Sequence, residues 1–187
     1  IIALGLLWCL FAVMLQAARV DTVLVRSAAM NKDVKVVYVL PDKAIGKQAC
    51  PVVYLLHGYG GNARSWVQLK PELPQMADEK GIIFVCPDGK NSWYWDSPEN
   101  PAYRYETFVT SELVKYTDGN YATIPDRKAR AISGLSMGGH GALWSAIRHK
   151  DVFGAAGSMS GGVDIRPFPQ NWEMNKHCLL YTSDAAD

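Results

Sequence analysis

Apolar positions in this chain come as short continuous runs separated by polar, Gly- and Pro-bearing turns, with helical periodicity between several of them. Thr22–Arg26 and Val34–Leu40 (VKVVYVL) predict strands, the second closed by a Pro41-Asp42 turn. Val52–Leu56 (VVYLL) and Ile82–Cys86 (IIFVC) are uninterrupted apolar runs, the pattern of strands buried on both faces. A helical stretch from about Pro71 to Lys80 lies between them. An aromatic, turn-rich loop then runs from Asn91 to Tyr105. Val109, Leu113, Val114 and Tyr116 recur at helical spacing within Glu106–Thr117. Ala129–Ile132 predicts a third short strand, running into Ser133-Gly134. Gly139–Arg148 follows as a helix with Leu143, Ala146 and Ile147 on one face, and Val152–Met159 is the next strand candidate. Strands alternating with helices imply one α/β domain with a largely parallel sheet covered on both sides.

The opening residues break this pattern. Ile1–Leu15 is an uncharged apolar run followed by small residues at Ala17 and Ala18, which reads as the hydrophobic region and cleavage site of a secretory signal peptide. The run is short of the roughly 20 residues of a membrane span; the alternative is an uncleaved N-terminal anchor. The expected organisation is a signal peptide over 1–18, incomplete at its start, an α/β domain over 19–176, and a foreign tail over 177–187. Export to the periplasm or beyond follows as an expectation, with no stable membrane insertion after cleavage.

Composition narrows the classes further. A formal net charge of +1, with both signs interspersed, offers no basic stripe for nucleic acid. Cys50 and Cys86 sit at or inside strand-like runs, and whether they pair is open at this level. No histidine–cysteine spacing suggests a metal, and no cofactor motif occurs.

Chemistry concentrates in two motifs. Gly134-Leu135-Ser136-Met137-Gly138 is a G-x-S-x-G sequence that follows a short strand and opens a Gly- and Ala-rich helix. That setting is what a nucleophile elbow requires: a turn so tight that glycines must flank the serine, lifting its hydroxyl clear of the sheet. Upstream, His57-Gly58-Tyr59-Gly60-Gly61 closes a buried strand. Such a loop can turn backbone N–H groups toward a developing oxyanion, and the expected donors are those of Tyr59 and Met137. Neither His57 nor His140 is expected to be the general base. His57 reads as a brace for the oxyanion loop, His140 as a satisfied packing residue, and His149 as a solvated helix cap.

LLHGYGG, VCPDGKNSWYWDSP and GLSMGGHGA together resemble the esterase family that includes esterase D (S-formylglutathione hydrolase), with feruloyl and acetyl-xylan esterases and mycolyltransferases as relatives. The resemblance covers roughly Val23 to Asp164. It implies an α/β-hydrolase three-layer sandwich, Ser136 as nucleophile, and an acyl pocket near Trp93, Tyr94 and Trp95, for which core packing is the equal alternative.

In that fold the triad runs Ser, then Asp or Glu, then His along the chain. Family members place the latter two after further strand–helix units, so the expectation is a fragment lacking its C-terminal strands and inactive by itself. His177–Asp187 continues no pattern of the domain and reads as translated adapter sequence; a pairing of Asp164 with His177 is the less favoured alternative. The expected activity is hydrolysis of short-chain or sugar and plant-polysaccharide acyl esters through an acyl-serine. The alternatives are a glutathione thioesterase, acyl transfer to a sugar hydroxyl, and a non-catalytic carbohydrate-binding protein on the same scaffold.

Overall fold

The computed structural model describes residues 18–164 and 171; the apolar run ahead of Ala18 and the tail at 177–187 lie outside the described residues. Strands β1 (Arg19–Ser27) and β2 (Lys32–Leu40) pair antiparallel from Arg19↔Leu40 to Ser27↔Lys32. The connection between them is too short for a crossover, so a hairpin is the only closure available. A single helical turn, α1 (Asp42–Ile45), leads to β3 (Val52–Leu56). Two helices, α2 (Ser65–Leu69) and α3 (Leu73–Lys80), then cross to β4 (Ile83–Pro87). The helix expected from Pro71 begins two residues later, and α2 was not anticipated. Trp66 on α2 donates its indole N–H to the Leu56 carbonyl at 3.0 Å, holding the end of β3.

Beyond the aromatic loop, α4 (Tyr105–Thr107) and α5 (Leu113–Asn120) form one helical run with a π-helical turn, Phe108–Glu112, between them. Then come β5 (Arg130–Leu135), α6 (Met137–Arg148) and β6 (Ala155–Met159). The sheet order is β1-β2-β4-β3-β5-β6, with β4, β3, β5 and β6 parallel. The chain leaves β3 for β4 on one side and returns to β5 on the other. The crevice at such a reversal, beyond the carboxyl ends of β3 and β5, is where open α/β sheets place their ligands.

Period-two alternation sorts the core into two layers. Val36, Tyr38, Tyr54, Leu56, Ile83, Val85 and Ile132 join Phe108, Val109, Leu113 and Ala142 on one face. Val37, Val39, Leu55, Phe84 and Cys86 meet Leu73 and Ala77 of α3 on the other. The two cysteines therefore belong to opposite layers, both free and buried. Register sets them further apart: Val52 is level with Ile83, so Cys50 and Cys86 lie about five residues, roughly 17 Å, apart along the strands. They do not pair.

Two expectations about side chains are corrected. The apolar face of α6 read from the sequence, Leu143, Ala146 and Ile147, is not its buried face. The buried residues are Met137 to Ala142 together with Ser145, while Ile147 is 65% exposed. The helix lies so close to the sheet that small residues face inward. His149 is not a solvated cap: its Nε2 lies 2.8 Å from Glu106 Oε1. Glu106, at the start of the long helical run, is buried and also accepts from Trp144 Nε1 at 2.8 Å and Arg148 Nε at 2.7 Å. Burial alone would raise its carboxyl, but the hydrogen bonds from Trp144, Arg148 and His149 outweigh this and lower it.

A carboxyl depressed in the folded state stabilises above its ordinary range, and that contribution is lost as pH falls through the depressed value. Glu106→Gln is expected to cost about 1–3 kcal/mol in urea denaturation at pH 7. The deficit should close as the pH is taken below the depressed carboxyl value.

Candidate active site

Ser136 stands between β5 and α6, exposed, with φ 54° and ψ −117°. A serine in this left-handed region carries strain of about 1–3 kcal/mol and persists only where its surroundings enforce it. Backbone packing does so here. A Cβ on Gly134 would stand 2.2 Å from the Gly138 carbonyl oxygen, and one on Gly138 would stand 2.2 Å from that of Leu56. The glycines flanking Ser136 thus let the first turn of α6 sit on β5 behind it and on the end of β3 beside it. The Ser136 N–H donates to the Met159 carbonyl at 2.8 Å, and the His140 N–H donates to the Ser136 carbonyl at 3.0 Å.

The 57–61 loop comes up beside the serine because Leu56 is in register with Gly134. A Cβ on Gly58 would lie 3.6 Å from Ser136 Cβ. Gly60 adopts φ +73°, and the Gly61 N–H donates to the Gly58 carbonyl at 3.0 Å, closing the turn. Tyr59 is at the tip of this loop, 39% exposed. Met137 is the first residue of α6, where N–H groups have no helical carbonyl to serve. Both expected oxyanion donors therefore belong to segments packed against Ser136.

None of the described histidines serves Ser136. His57 is buried, donates Nδ1–H to the Gly58 carbonyl at 2.7 Å and accepts the Gly89 N–H on Nε2 at 2.9 Å. These contacts select its Nδ1–H tautomer. Asp88 lies 3.7 Å from His57 Nε2 and also holds Lys90 Nζ at 2.9 Å. Burial would raise its carboxyl, but the hydrogen bonds from the Lys90 backbone N–H and ammonium and the Lys90 charge hold it well below the usual range.

His140 departs from the expectation of a satisfied packing residue. Its Nδ1–H donates to the Gly162 carbonyl at 2.6 Å, but Nε2 is buried with no hydrogen-bond partner among the described residues. Its ring lies 5.4 Å from that of Trp93, 4.8 Å from Trp95 and 6.1 Å from Trp144. Burial lowers its pKa from 6.5, against an upward pull from the Gly162 hydrogen bond. His177 lies outside the described residues, so its pairing with Asp164 does too.

The aromatic triplet is corrected in part. Trp93, Tyr94 and Trp95 are all buried, and Trp95 alone of the three lines a cavity of about 1340 Å³ between α5 and α6. That cavity runs along the helices toward Arg148 and Asp151, and Ser136 is not among its lining residues. Tyr94 is wholly buried, with its hydroxyl on the His57 backbone: it accepts the His57 N–H at 3.0 Å and donates to the His57 carbonyl at 3.3 Å. Nothing in the apolar pattern marks that role, because its partners are main-chain atoms of another loop. Among the described residues no group of three or more His, Cys, Asp or Glu could hold a metal ion. No helix of the described residues is long and apolar enough to cross a membrane.

A mostly parallel sheet with helices on both faces, a strained serine between strand and helix, and a Gly-rich loop at the switch point define an α/β-hydrolase fold. The comparisons agree. Residues 27–187 match the family model described as "Putative esterase", and the chain belongs to that family. It is 27% identical over 147 residues to an acetyl esterase of Caldicellulosiruptor saccharolyticus, covering 74% of this chain and 54% of the relative. A solved ferulic acid esterase superposes with TM-score 0.69 at 32% identity, over 80% of this chain and 60% of that one. An S-formylglutathione hydrolase from Agrobacterium tumefaciens superposes with TM-score 0.74 at 25% identity, over 86% of this chain and 65% of that one. The chain spans about half the length of the acetyl esterase it matches.

With its pKa lowered, His140 makes the folded state bind fewer protons than the unfolded chain just below pH 6.5. Thermal melts are expected to lose stability as pH falls from about 6.5 to the lowered value and to level off below it. His140→Gln should remove that limb of the profile.

Proposed function

We propose that Ser136 is the nucleophile of a carboxylic ester hydrolase that works through an acyl-serine intermediate. The observation that carries this is the strained, exposed Ser136 with the Gly58 backbone packed against its Cβ. Attack by Oγ on an ester carbonyl forms a tetrahedral oxyanion, with the backbone N–H groups of Tyr59 and Met137 as its donors. Collapse expels the alcohol and leaves the acyl group on Ser136; water then attacks the acyl-serine and releases the acid. A histidine must take the serine proton and return it to the leaving alcohol, with a carboxylate to orient it. His57 and His149 are engaged elsewhere, and His140 is held by the Gly162 carbonyl among the rings of Trp93, Trp95 and Trp144, so we place that histidine and its acid downstream of Asp164.

The substrate class we favour is a short-chain, sugar or plant-polysaccharide acyl ester, met by an exported enzyme. The apolar Ile1–Leu15 run supports export, and the likeness to an acetyl esterase and a ferulic acid esterase supports the ester class. A thioesterase acting on S-formylglutathione is the second reading, favoured by the superposition on the Agrobacterium enzyme.

In the full-length protein a fluorophosphonate should label Ser136, and Ser136→Ala should abolish labelling and cut hydrolysis of p-nitrophenyl acetate by about 10⁴-fold or more. Labelling elsewhere, or none, would remove the esterase reading. A panel of feruloyl sugars, acetyl-xylan and S-formylglutathione then decides the class: preference for the thioester would exclude the sugar-ester assignment.

A further inference from the structure

The loop after β4 reaches across to the 57–61 loop at three places. The Gly89 N–H donates to His57 Nε2 at 2.9 Å. Tyr94 Oη holds both the N–H and the carbonyl of His57, at 3.0 and 3.3 Å. Asn91 Oδ1 accepts the Gly60 N–H at 2.8 Å. Two of these ties, those of Tyr94 and Asn91, grip backbone groups on either side of Tyr59. A peptide N–H gripped on both flanks has little freedom to swing, and an oxyanion donor is effective only if it is aimed before charge develops.

The same loop is strained where it does this. Trp93 and Tyr94 have φ of 57° and 60°, two consecutive bulky residues in the left-handed region. The Tyr94 N–H donates to Ser92 Oγ at 3.0 Å, and the Trp95 N–H donates to the Ser92 carbonyl at 3.2 Å, holding the distortion. The Tyr94 ring is wedged between two backbones: a Cβ on Gly89 would stand 2.3 Å from it, and one on Gly141 of α6 would stand 2.6 Å from it. One side chain thus spans the elbow helix, which carries Met137, and the loop that carries Tyr59.

We propose that Tyr94 and Asn91 are positioning residues for the oxyanion hole, fixing the Tyr59 N–H relative to that of Met137. This rests on the esterase reading of Ser136. Neither side chain need touch the substrate. Their effect is on the alignment of two donors that act in the transition state, so it falls on kcat more than on KM.

The test uses the full-length protein, with turnover of p-nitrophenyl acetate expressed per serine titrated by fluorophosphonate. Tyr94→Phe and Asn91→Ala are expected to lower kcat per titrated site by about 10- to 100-fold, short of the roughly 10²–10³ for deleting a donor outright. KM should stay within about threefold, and affinity for a boronic acid, whose adduct is tetrahedral, should fall in step with kcat. Asn91 is only half-buried, so its variant separates function from folding. Asn91→Asp keeps an acceptor for the Gly60 N–H and should restore most of the rate. If both substitutions lower only the yield of titratable sites and leave kcat per site unchanged, the two residues are merely structural and the proposal is overturned. Wild-type protein that neither labels nor turns over would overturn the esterase reading itself, and this proposal with it.

Discussion

Backbone resting on backbone at Gly138 is the contact on which the site depends. Its Cα faces the carbonyl of Leu56, at the end of β3, with no space between for even a methyl group. Gly134 makes the equivalent approach from β5. Together they set how deeply α6 sinks toward the sheet, and hence where Ser136 stands relative to the 57–61 loop. Close-packed interiors transmit such displacements rather than absorb them. A bulkier residue at either glycine would move the helix, the serine and the first helical N–H as one body.

That constraint also explains which parts of the molecule could be read from the chain. Strands β3 and β4 are buried on both faces, so their apolar runs stand out, and both were placed to within a residue. The elbow was legible because close approach demands glycine at fixed offsets. The inner face of α6 was not legible for the same reason: Gly138, Gly139, Gly141 and Ala142 carry almost no hydrophobic signal, whereas exposed Ile147 carries a strong one. Periodicity finds bulk, and this interface is made by leaving bulk out.

The polar features were hidden by distance in sequence. Glu106 draws its donors from Trp144, Arg148 and His149, 38 to 43 positions away. Tyr94 bonds main-chain atoms 37 positions back. The π-helical turn at Phe108–Glu112 likewise leaves no mark in an apolar pattern that suits an ordinary helix equally well. Each arises from tertiary fit, which local propensity does not encode.

Cys50 and Cys86 sit in different layers of the core, and burial pushes the Cys86 thiol up to about 12. Neither thiol can reach the other, and at neutral pH Cys86 is almost never the thiolate that oxidation and exchange require. The described part of the domain therefore carries no cross-link to be formed, shuffled or reduced between these two positions. Its folding has no oxidative step there, and a reducing cytosol and an oxidising exterior present it with the same sulfur chemistry.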